Sequence, residues 1–273
     1  MASESGTILS ERSLGRAFAE AREQGRGALV VYTTAGYPEP ERGLEVLLTL
    51  ADAGADVLEL GIPFSDPLAD GPTIQKSSFD VIQKGVDLAW SLELLRRFRR
   101  ERDTPVVVFT YLNPIMNYGV DRFLAEAEAA GAQGVLVTDL PVGSDPELEA
   151  KFRASSLDLI RLIAPTTKPE RVREIAADAG GFLYYVSRTG VTGARSELTS
   201  TLRAEVEAVR AATELPVAVG FGISTPEQAA EVAHLADGVV VGSAVVDRLG
   251  REGIEGTARF VAALRAATLA PSS

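Results

Sequence analysis

The sequence has 273 residues, 46% of them apolar and 24% charged, so it is long enough to bury one large core or two small ones. Its 38 acidic residues outnumber its 27 basic ones and give a net charge of −11, which argues against nucleic-acid and anionic-membrane surfaces. Cysteine is absent, which excludes disulfide and thiol chemistry, and no signal peptide or spanning segment is recognised, so we expect a cytoplasmic protein.

The first periodic segment runs from Ile8 to about Gln24 and repeats apolar residues, such as Leu14 and Phe18, at helical spacing. We expect an amphipathic helix that covers the bottom of a domain. A single domain is expected to span the whole chain, with residues 1–6 and 269–273 as frayed tails.

After this helix, short apolar strands alternate with helical patterns to the end of the chain. The predicted strands are 28–34, 56–60, 105–111, 134–138, 157–163, 181–186, 216–220 and 238–242. The predicted helices are about 39–53, 88–102, 120–130, 146–154, 169–179, 198–212, 226–233, 243–249 and 254–268. Eight such strand and helix units predict an α/β fold of the (β/α)8 or TIM-barrel type. The alternative, an open doubly wound sheet, needs a glycine-rich turn after its first strand, where this sequence has Thr34-Ala-Gly-Tyr-Pro38.

The second predicted strand carries an acid and leads into a loop with two more. Glu59 lies in an apolar strand, where a charge costs several kcal/mol unless it is paired or its pKa rises. The loop holds Asp66 and Asp70 among three prolines and two glycines, which stiffen the backbone. Because the carboxyl ends of barrel strands face the active site, Glu59 and Asp70 are candidate catalytic residues.

Each strand-end acid also has a structural interpretation. Glu59 is alternatively the buried partner of an arginine, and Asp70 a cap for the backbone of its own loop. Asp66 is expected to be a turn residue or an interface contact. Asp139, at the end of the fourth strand, is expected to cap a loop, and a role in the site is left open.

Glycines cluster after three successive strands late in the chain, in Gly190-Val-Thr-Gly193, Gly220-Phe-Gly-Ile-Ser224 and Gly242-Ser243. Glycine lets several backbone N–H groups approach one phosphate, and a helix N-terminus adds a favourable dipole. Any one cluster alone is typical of an ordinary turn, but three at neighbouring strand ends favour a phosphate site. Segment 187–197 is expected to be a lid, with a solvated loop as the alternative.

Aromatic residues and missing residue types narrow the chemistry further. Tyr32, Tyr111, Tyr184 and Phe221 fall near strand ends and are candidates for the wall of a pocket for a flat ring, with core packing as the alternative. The single histidine, His234, lies in a helical segment, so no histidine-based metal site or triad is expected. All four lysines lie outside the predicted strands, which argues against a Schiff base and leaves a carboxylate acid/base enzyme acting on a phosphorylated substrate.

The run from Glu59 to Gln75, ELGIPFSDPLADGPTIQ, closely resembles the tryptophan synthase alpha subunit family. Segments 187–195, 220–226 and 242–243 are similar to that family too, and the match covers about Leu14 to Ala267. The resemblance implies a (β/α)8 barrel that cleaves indole-3-glycerol phosphate to indole and glyceraldehyde 3-phosphate by a retro-aldol reaction, with no metal and no cofactor of its own. Thr138 departs from the family, in which small apolar residues or proline are usual at that position.

Carried over by motif, the resemblance implies Glu59 as the acid/base and Asp70 as its partner. The residues that it implies for the substrate are the pocket tyrosine Tyr184, the lid threonine Thr192, and Gly193, Phe221, Gly222, Gly242 and Ser243 around the phosphate.

The resemblance also implies a partner, a beta subunit that carries pyridoxal phosphate and receives indole through a tunnel. An α2β2 heterotetramer is therefore expected, with the loop from Pro63 to Pro72 near the contact, and no nucleic-acid or membrane partner. One alternative is another phosphate-binding TIM-barrel isomerase or synthase. The other is a chain that acts chiefly as an interaction subunit and activates its partner.

Overall fold

This computed structural model describes residues 13–187, 195–220 and 222–269, and in these ranges eight parallel strands close into a barrel. The strands are β1 (Ala28–Thr34), β2 (Val57–Gly61), β3 (Val106–Thr110), β4 (Gly134–Val137), β5 (Asp158–Ile163), β6 (Leu183–Val186), β7 (Val217–Gly220) and β8 (Gly238–Val241). They pair in chain order, and β8 pairs back with β1. The predicted TIM barrel is confirmed, and each strand agrees with its predicted bounds to within two residues.

Helices surround the barrel on its outer side. The described residues contain α1 (Ser13–Glu23), α2 (Gly43–Asp52), α3 (Pro72–Ile82), α4 (Leu88–Arg99), α5 (Leu112–Tyr118), α6 (Val120–Ala130), α7 (Pro146–Ala154), α8 (Pro169–Ala177), α9 (Arg195–Arg210), α10 (Pro226–Ala233) and α11 (Ser243–Ala267). A short 3-10 helix, Pro40–Arg42, precedes α2. None of the described helices is long and apolar enough to cross a membrane.

Two of these helices, α3 and α5, were not predicted from the sequence. The buried face of α3 includes Ser77 and Ser78, so apolar periodicity is weak there, and the Ser77 hydroxyl lies 2.6 Å from that of Thr34 on β1. Helix α5 is only seven residues long and contains Pro114, which its first turn accommodates because no intrahelical N–H bond is needed there.

The C-terminal end of the chain confirms one detail of the prediction and corrects another. The helices expected at 243–249 and 254–268 lie on either side of a kink in α11 at Gly253, whose φ of 68° is not helical. Leu269, expected in a frayed tail, forms an antiparallel bridge with Arg26. The other residues of the predicted tails lie outside the described ranges, as does the predicted start of the first helix at Ile8.

Helix α1 covers the bottom of the barrel, as predicted. Its Leu14 and Phe18 are buried with the inward side chains of the strands, and Phe18 stacks at 5.1 Å on Phe182. Glycines open the space for these side chains, since a Cβ atom at Gly134 would lie 2.9 Å from Leu14 and one at Gly238 would lie 2.7 Å from Phe18. The bottom of the barrel is thereby sealed, and the site lies at the opposite end.

Strand alternation decides which side chains enter the barrel. On β2, Val57 packs in the inner core, whereas Leu58 and Leu60 pack in the larger core between strands and helices. Glu59 therefore points inward, one step above Val57, at the level where the strand carboxyl ends open. A catalytic role for Glu59 requires this inward direction of its side chain.

Candidate active site

A cavity of about 470 Å³ opens at the carboxyl ends of the strands, a volume in the range of small-molecule sites. It brings together six of the residues predicted for the site: Glu59, Asp70, Tyr184, Gly222, Gly242 and Ser243. The two acids and the three residues expected at a phosphate thus line one enclosure, although they come from different strand ends. The remaining predicted residues, Thr192, Gly193 and Phe221, and the central part of the predicted lid, 188–194, lie outside the described residues.

Glu59 is almost completely buried, with 1% of its surface exposed. Within the described residues its Oε1 atom has no hydrogen-bond partner. Burial raises the pKa of the Glu59 carboxyl from its ordinary 4.5 to about 8, and no arginine contributes to this shift. The described surroundings therefore do not support the arginine-paired alternative, and Glu59 holds a proton at neutral pH.

Asp70 faces the same cavity from the loop after β2, and its environment is less apolar. Burial raises the pKa of its carboxyl to about 6, and the neighbouring Tyr111 hydroxyl, as a hydrogen-bond donor, opposes this rise. The loop is fixed by the Asp70 amide, which donates to the Pro67 carbonyl at 3.0 Å, and by the Gln75 amide, which donates to the Asp70 carbonyl at 2.9 Å. At neutral pH this carboxyl is ionised while that of Glu59 is not.

Aromatic rings form part of the cavity wall, as the sequence indicated for Tyr32 and Tyr184. Tyr32 meets Phe109 edge to face, with ring centroids 5.2 Å apart. Phe109 and Leu162, which also line the cavity, were not predicted. Both occupy inward positions by strand alternation, so the period-2 pattern was the signal that identifies them. Tyr111 instead packs on Phe64 of the loop after β2, with ring centroids 5.3 Å apart.

Two strand-end glycines hold the tyrosines in place. A Cβ atom at Gly61 would lie 2.1 Å from the Tyr32 hydroxyl, and one at Gly220 would lie 2.4 Å from the Tyr184 hydroxyl. Each tyrosine side chain therefore occupies the space that a side chain at the glycine of the next strand would need. Gly220 was grouped with the phosphate glycines in the sequence, but in the structure it makes room for Tyr184.

The start of α11 lies at the wall of the cavity. Gly242 precedes this helix without a side-chain cap, and the next two residues, Ser243 and Ala244, line the cavity with it. The first backbone N–H groups of a helix lack intrahelical partners and carry the positive end of its dipole. At the start of α10, by contrast, Thr225 and Gln228 form a capping box that satisfies the backbone. Of these two helix starts, that of α11 therefore leaves more backbone N–H groups without a side-chain partner.

A second cavity, of about 740 Å³, lies beside the first, at the ends of β4 and β5. Three of its charged side chains are engaged: Arg161 pairs with Glu149 and Asp178, Arg171 pairs with Glu174, and Asp139 Oδ1 accepts a hydrogen bond of 2.7 Å from the Leu112 amide. The predicted loop-capping role of Asp139 is thus confirmed. Asp66 is exposed and accepts a hydrogen bond from the adjacent Ser65 hydroxyl, as expected of a turn residue.

The lysines lie away from the strands, as predicted. Lys76 is on α3 and pairs with Asp80, Lys84 follows α3, Lys151 is on α7, and Lys168 precedes α8. None of them lines the 470 Å³ cavity, so amine chemistry in this enclosure has no lysine among the described residues.

A family model and individual relatives with similar sequences carry the same description. The family model described as "Tryptophan synthase alpha chain" matches residues 18–269. A tryptophan synthase alpha chain of Citrifermentans bemidjiense is 49% identical over 256 residues, which cover 92% of this chain and 96% of the relative. One from Geobacter sp. (strain M21) is 50% identical over the same shares of the two chains.

Solved structures agree with the sequence relatives. The crystal structure of tryptophan synthase subunit alpha from Legionella pneumophila str. Paris superposes with a TM-score of 0.87 at 36% identity, covering 94% of this chain and 98% of that one. A structure of Mycobacterium tuberculosis tryptophan synthase gives a TM-score of 0.86, also at 36% identity, over 94% of this chain and 98% of that one.

Proposed function

We propose that Glu59 and Asp70 are the acid/base pair of this chain, which belongs to the tryptophan synthase alpha chain family. The chain is a carbon–carbon lyase of tryptophan biosynthesis and cleaves indole-3-glycerol phosphate to indole and glyceraldehyde 3-phosphate. The family match does not favour the alternatives of another phosphate-binding barrel enzyme or of a chiefly structural subunit.

Cleavage of the carbon–carbon bond needs a sink for its electron pair, and the indole ring itself serves. The protonated Glu59 donates its proton to C3 of the ring, which places a positive charge on the ring nitrogen. The Glu59 carboxylate then removes the proton of the side-chain hydroxyl. The O–H electrons form the aldehyde C=O, the carbon–carbon bond breaks, and its electrons restore the aromatic ring. Glu59 ends protonated, and Asp70 stabilises the positive charge in between.

The observation that carries this proposal is the contrast between two carboxyls in one cavity. The pKa of Glu59 is raised to about 8 and that of Asp70 to about 6, so near pH 7 one is an acid and the other an anion. A proton donor is most effective when its pKa lies near the working pH, and such acid/base catalysis contributes about 10² to 10⁴ in rate. Separate environments give the two carboxyls the separate roles that the reaction requires.

We further propose that the substrate phosphate binds at the start of α11, on Gly242 and Ser243, with Gly222 opposite. The backbone of Gly222 has a φ of 74°, which favours glycine and leaves its amide free of a crowding side chain. Tyr184, with Tyr32, supports the indole ring from the side of the cavity. Thr192, Gly193 and Phe221 complete this proposal from sequence resemblance alone.

The partner of the chain is proposed to be a tryptophan synthase beta subunit, in an α2β2 assembly in the cytoplasm. The loop after β2 supports the docking part, because Leu68 is 92% exposed on a stiff, proline-rich segment that also carries Asp70. We propose that this chain needs no cofactor and that pyridoxal phosphate belongs to the partner. The ring-based electron sink described above supports that division of labour.

Indole release tests the assignment directly. The purified chain is incubated with indole-3-glycerol phosphate, and indole is measured over time for the wild type, Glu59→Gln and Asp70→Asn. We expect the wild type to release indole and both variants to lose at least about 10²-fold in kcat. The exposed Glu207, replaced by Gln, serves as the matched control and should keep wild-type activity. Near-normal turnover in the Glu59→Gln variant would refute the role of that residue.

A further inference from the structure

The hydroxyl of Tyr111 lies where the ends of β3 and β4 meet the loop after β2. The backbone amide of Ala69 donates a hydrogen bond of 3.0 Å to this hydroxyl. The Tyr111 ring packs on Phe64 in the same loop. Tyr111 therefore contacts the loop on both sides of the segment that leads to Asp70, and it holds the residue immediately before the carboxylate.

The backbone around Tyr111 is fixed in turn by the next strand end. Asp139 Oδ1 accepts the hydrogen bond of the Leu112 amide at 2.7 Å, so the residue after Tyr111 is tied to the end of β4. One residue earlier, the Thr138 hydroxyl donates a long hydrogen bond of 3.4 Å to the Thr110 carbonyl, and it lies close enough to the Tyr111 hydroxyl to lower the pKa of that group. Thr138 lines the cavity itself. Residues 110–112 at the end of β3 are thus held against residues 138 and 139 at the end of β4.

The hydrogen-bonding capacity of the Tyr111 oxygen explains what this arrangement does. A phenolic oxygen accepts two hydrogen bonds and donates one. Because the Ala69 amide donates to this oxygen, the phenolic proton is available for the Asp70 carboxyl. We propose that Tyr111 is a positioning residue for Asp70 and that Thr138 acts through Tyr111, an inference that rests on the proposed role of Asp70.

The groups around Asp70 explain why the Tyr111 hydroxyl matters for the ionised form of this carboxyl. The titratable groups that interact with it are Tyr32 from β1, Tyr111 after β3 and Tyr184 from β6, and Glu59 from β2 lines the same cavity. None of these is a cation at neutral pH, and the described lining of the cavity contains no basic side chain. Among the described residues, ionised Asp70 is stabilised by the Tyr111 hydroxyl and by no ion pair. Loss of the Tyr111 hydroxyl should therefore raise the pKa of Asp70 further.

The experiment compares kcat/KM for indole-3-glycerol phosphate as a function of pH in Tyr111→Phe, Thr138→Val and the double variant. In Tyr111→Phe we expect the acid limb of the profile to move to higher pH and kcat at pH 7 to fall about 10- to 100-fold, as for loss of a hydrogen bond to a charged group. KM should change little, because Tyr111 lies away from the start of α11. Thr138→Val should move the same limb by a smaller amount.

The double variant decides whether Thr138 acts through Tyr111. If it does, the double variant matches Tyr111→Phe, because the phenolic hydroxyl through which Thr138 acts is then absent. Tyr118→Phe is the control: it removes a hydroxyl that donates at 2.6 Å to Glu126, outside the cavity, and should leave the profile unchanged. Circular dichroism and binding of glyceraldehyde 3-phosphate verify that each variant is folded.

Two outcomes overturn this inference. An unmoved acid limb in Tyr111→Phe, with Asp70→Asn inactive, means that Asp70 is catalytic but that Tyr111 does not position it. Full additivity of Thr138→Val on the Tyr111→Phe background means that Thr138 acts independently. If Asp70→Asn itself remains active, the proposed function of Asp70 fails instead, and the two failures are thereby distinguished.

Discussion

Replacement of Glu59 by Gln should change the pH dependence of stability as well as activity. The wild-type carboxyl has a pKa of about 8 in the folded chain and an ordinary value of 4.5, which we take for the unfolded chain. Between these two values the folded chain holds a proton that unfolding releases. Protonation of Glu59 thus supports folding fully below pH 4.5, and this support is lost as pH rises toward 8.

The size of this effect follows from the difference between the two pKa values. A difference of about 3.5 corresponds to roughly 5 kcal/mol at about 1.4 kcal/mol for each pH unit. The amide introduced by Glu59→Gln does not titrate, so the free energy of unfolding of this variant, relative to that of the wild type, should rise by about 4 kcal/mol from about pH 4.5 to about pH 8.5. The buried amide adds a penalty of its own, but that penalty is independent of pH.

Urea unfolding followed by circular dichroism at five pH values measures this difference. All other titrating groups are common to both proteins and cancel. Glu207→Gln, on the exposed face of α9, should differ from the wild type by a constant amount across the range. A Glu59→Gln difference that is flat to within about 1 kcal/mol would show that Glu59 ionises normally, and the acid role proposed for it would lose its physical basis.

Three further predictions test the rest of the site. The kcat/KM profile should be bell-shaped with limbs near pH 6 and pH 8, from Asp70 and Glu59 respectively, and a profile flat through this range would contradict the assignment. Gly220→Ala should destabilise the chain by about 1–3 kcal/mol in urea unfolding and lower kcat/KM at least about tenfold, because the new methyl group displaces the Tyr184 ring. Ser243→Asp should raise KM at least about tenfold without loss of thermal stability, since a carboxylate repels the phosphate but suits a helix N-terminus; an unchanged KM would place the phosphate elsewhere.

Much of the fold was predictable because barrel strands carry a strong local signal. Runs such as Val106–Thr110 are apolar almost throughout, since both faces of a strand are buried in this fold. Helix α3 was missed because its buried contact with β1 is made by hydroxyl groups, Ser77 with Thr34, rather than by an apolar stripe. Apolar periodicity in a sequence identifies helices that pack through apolar side chains and misses helices that pack through hydroxyl groups.

Residues of the candidate site were predictable from the sequence where their type is unusual for a buried strand. They were not predictable where their type is common at that position. Glu59 stands out as an acid in an apolar strand. Tyr111 and Thr138, however, are unremarkable in sequence, and their relation to Asp70 depends on three strand ends meeting in space. Gly220 illustrates the same limit, because its function as space for Tyr184 depends on the lateral neighbour of its strand. Such contacts follow from sheet register, which local sequence does not specify.

The environment of Glu59 links the stability of this barrel to its chemistry. An apolar residue at position 59 would pack with Val57 below it and relieve the buried, unpartnered carboxyl oxygen that the described residues leave there. The same lack of partners keeps the proton on Glu59 at neutral pH, and an arginine nearby would ionise the carboxyl and leave the indole ring without a donor. Any change that stabilises this position, by pairing the carboxyl group with a cation or by removing it, should therefore abolish turnover. The cost of burying an ionised Glu59 is the physical reason why this carboxyl keeps a proton to donate at neutral pH.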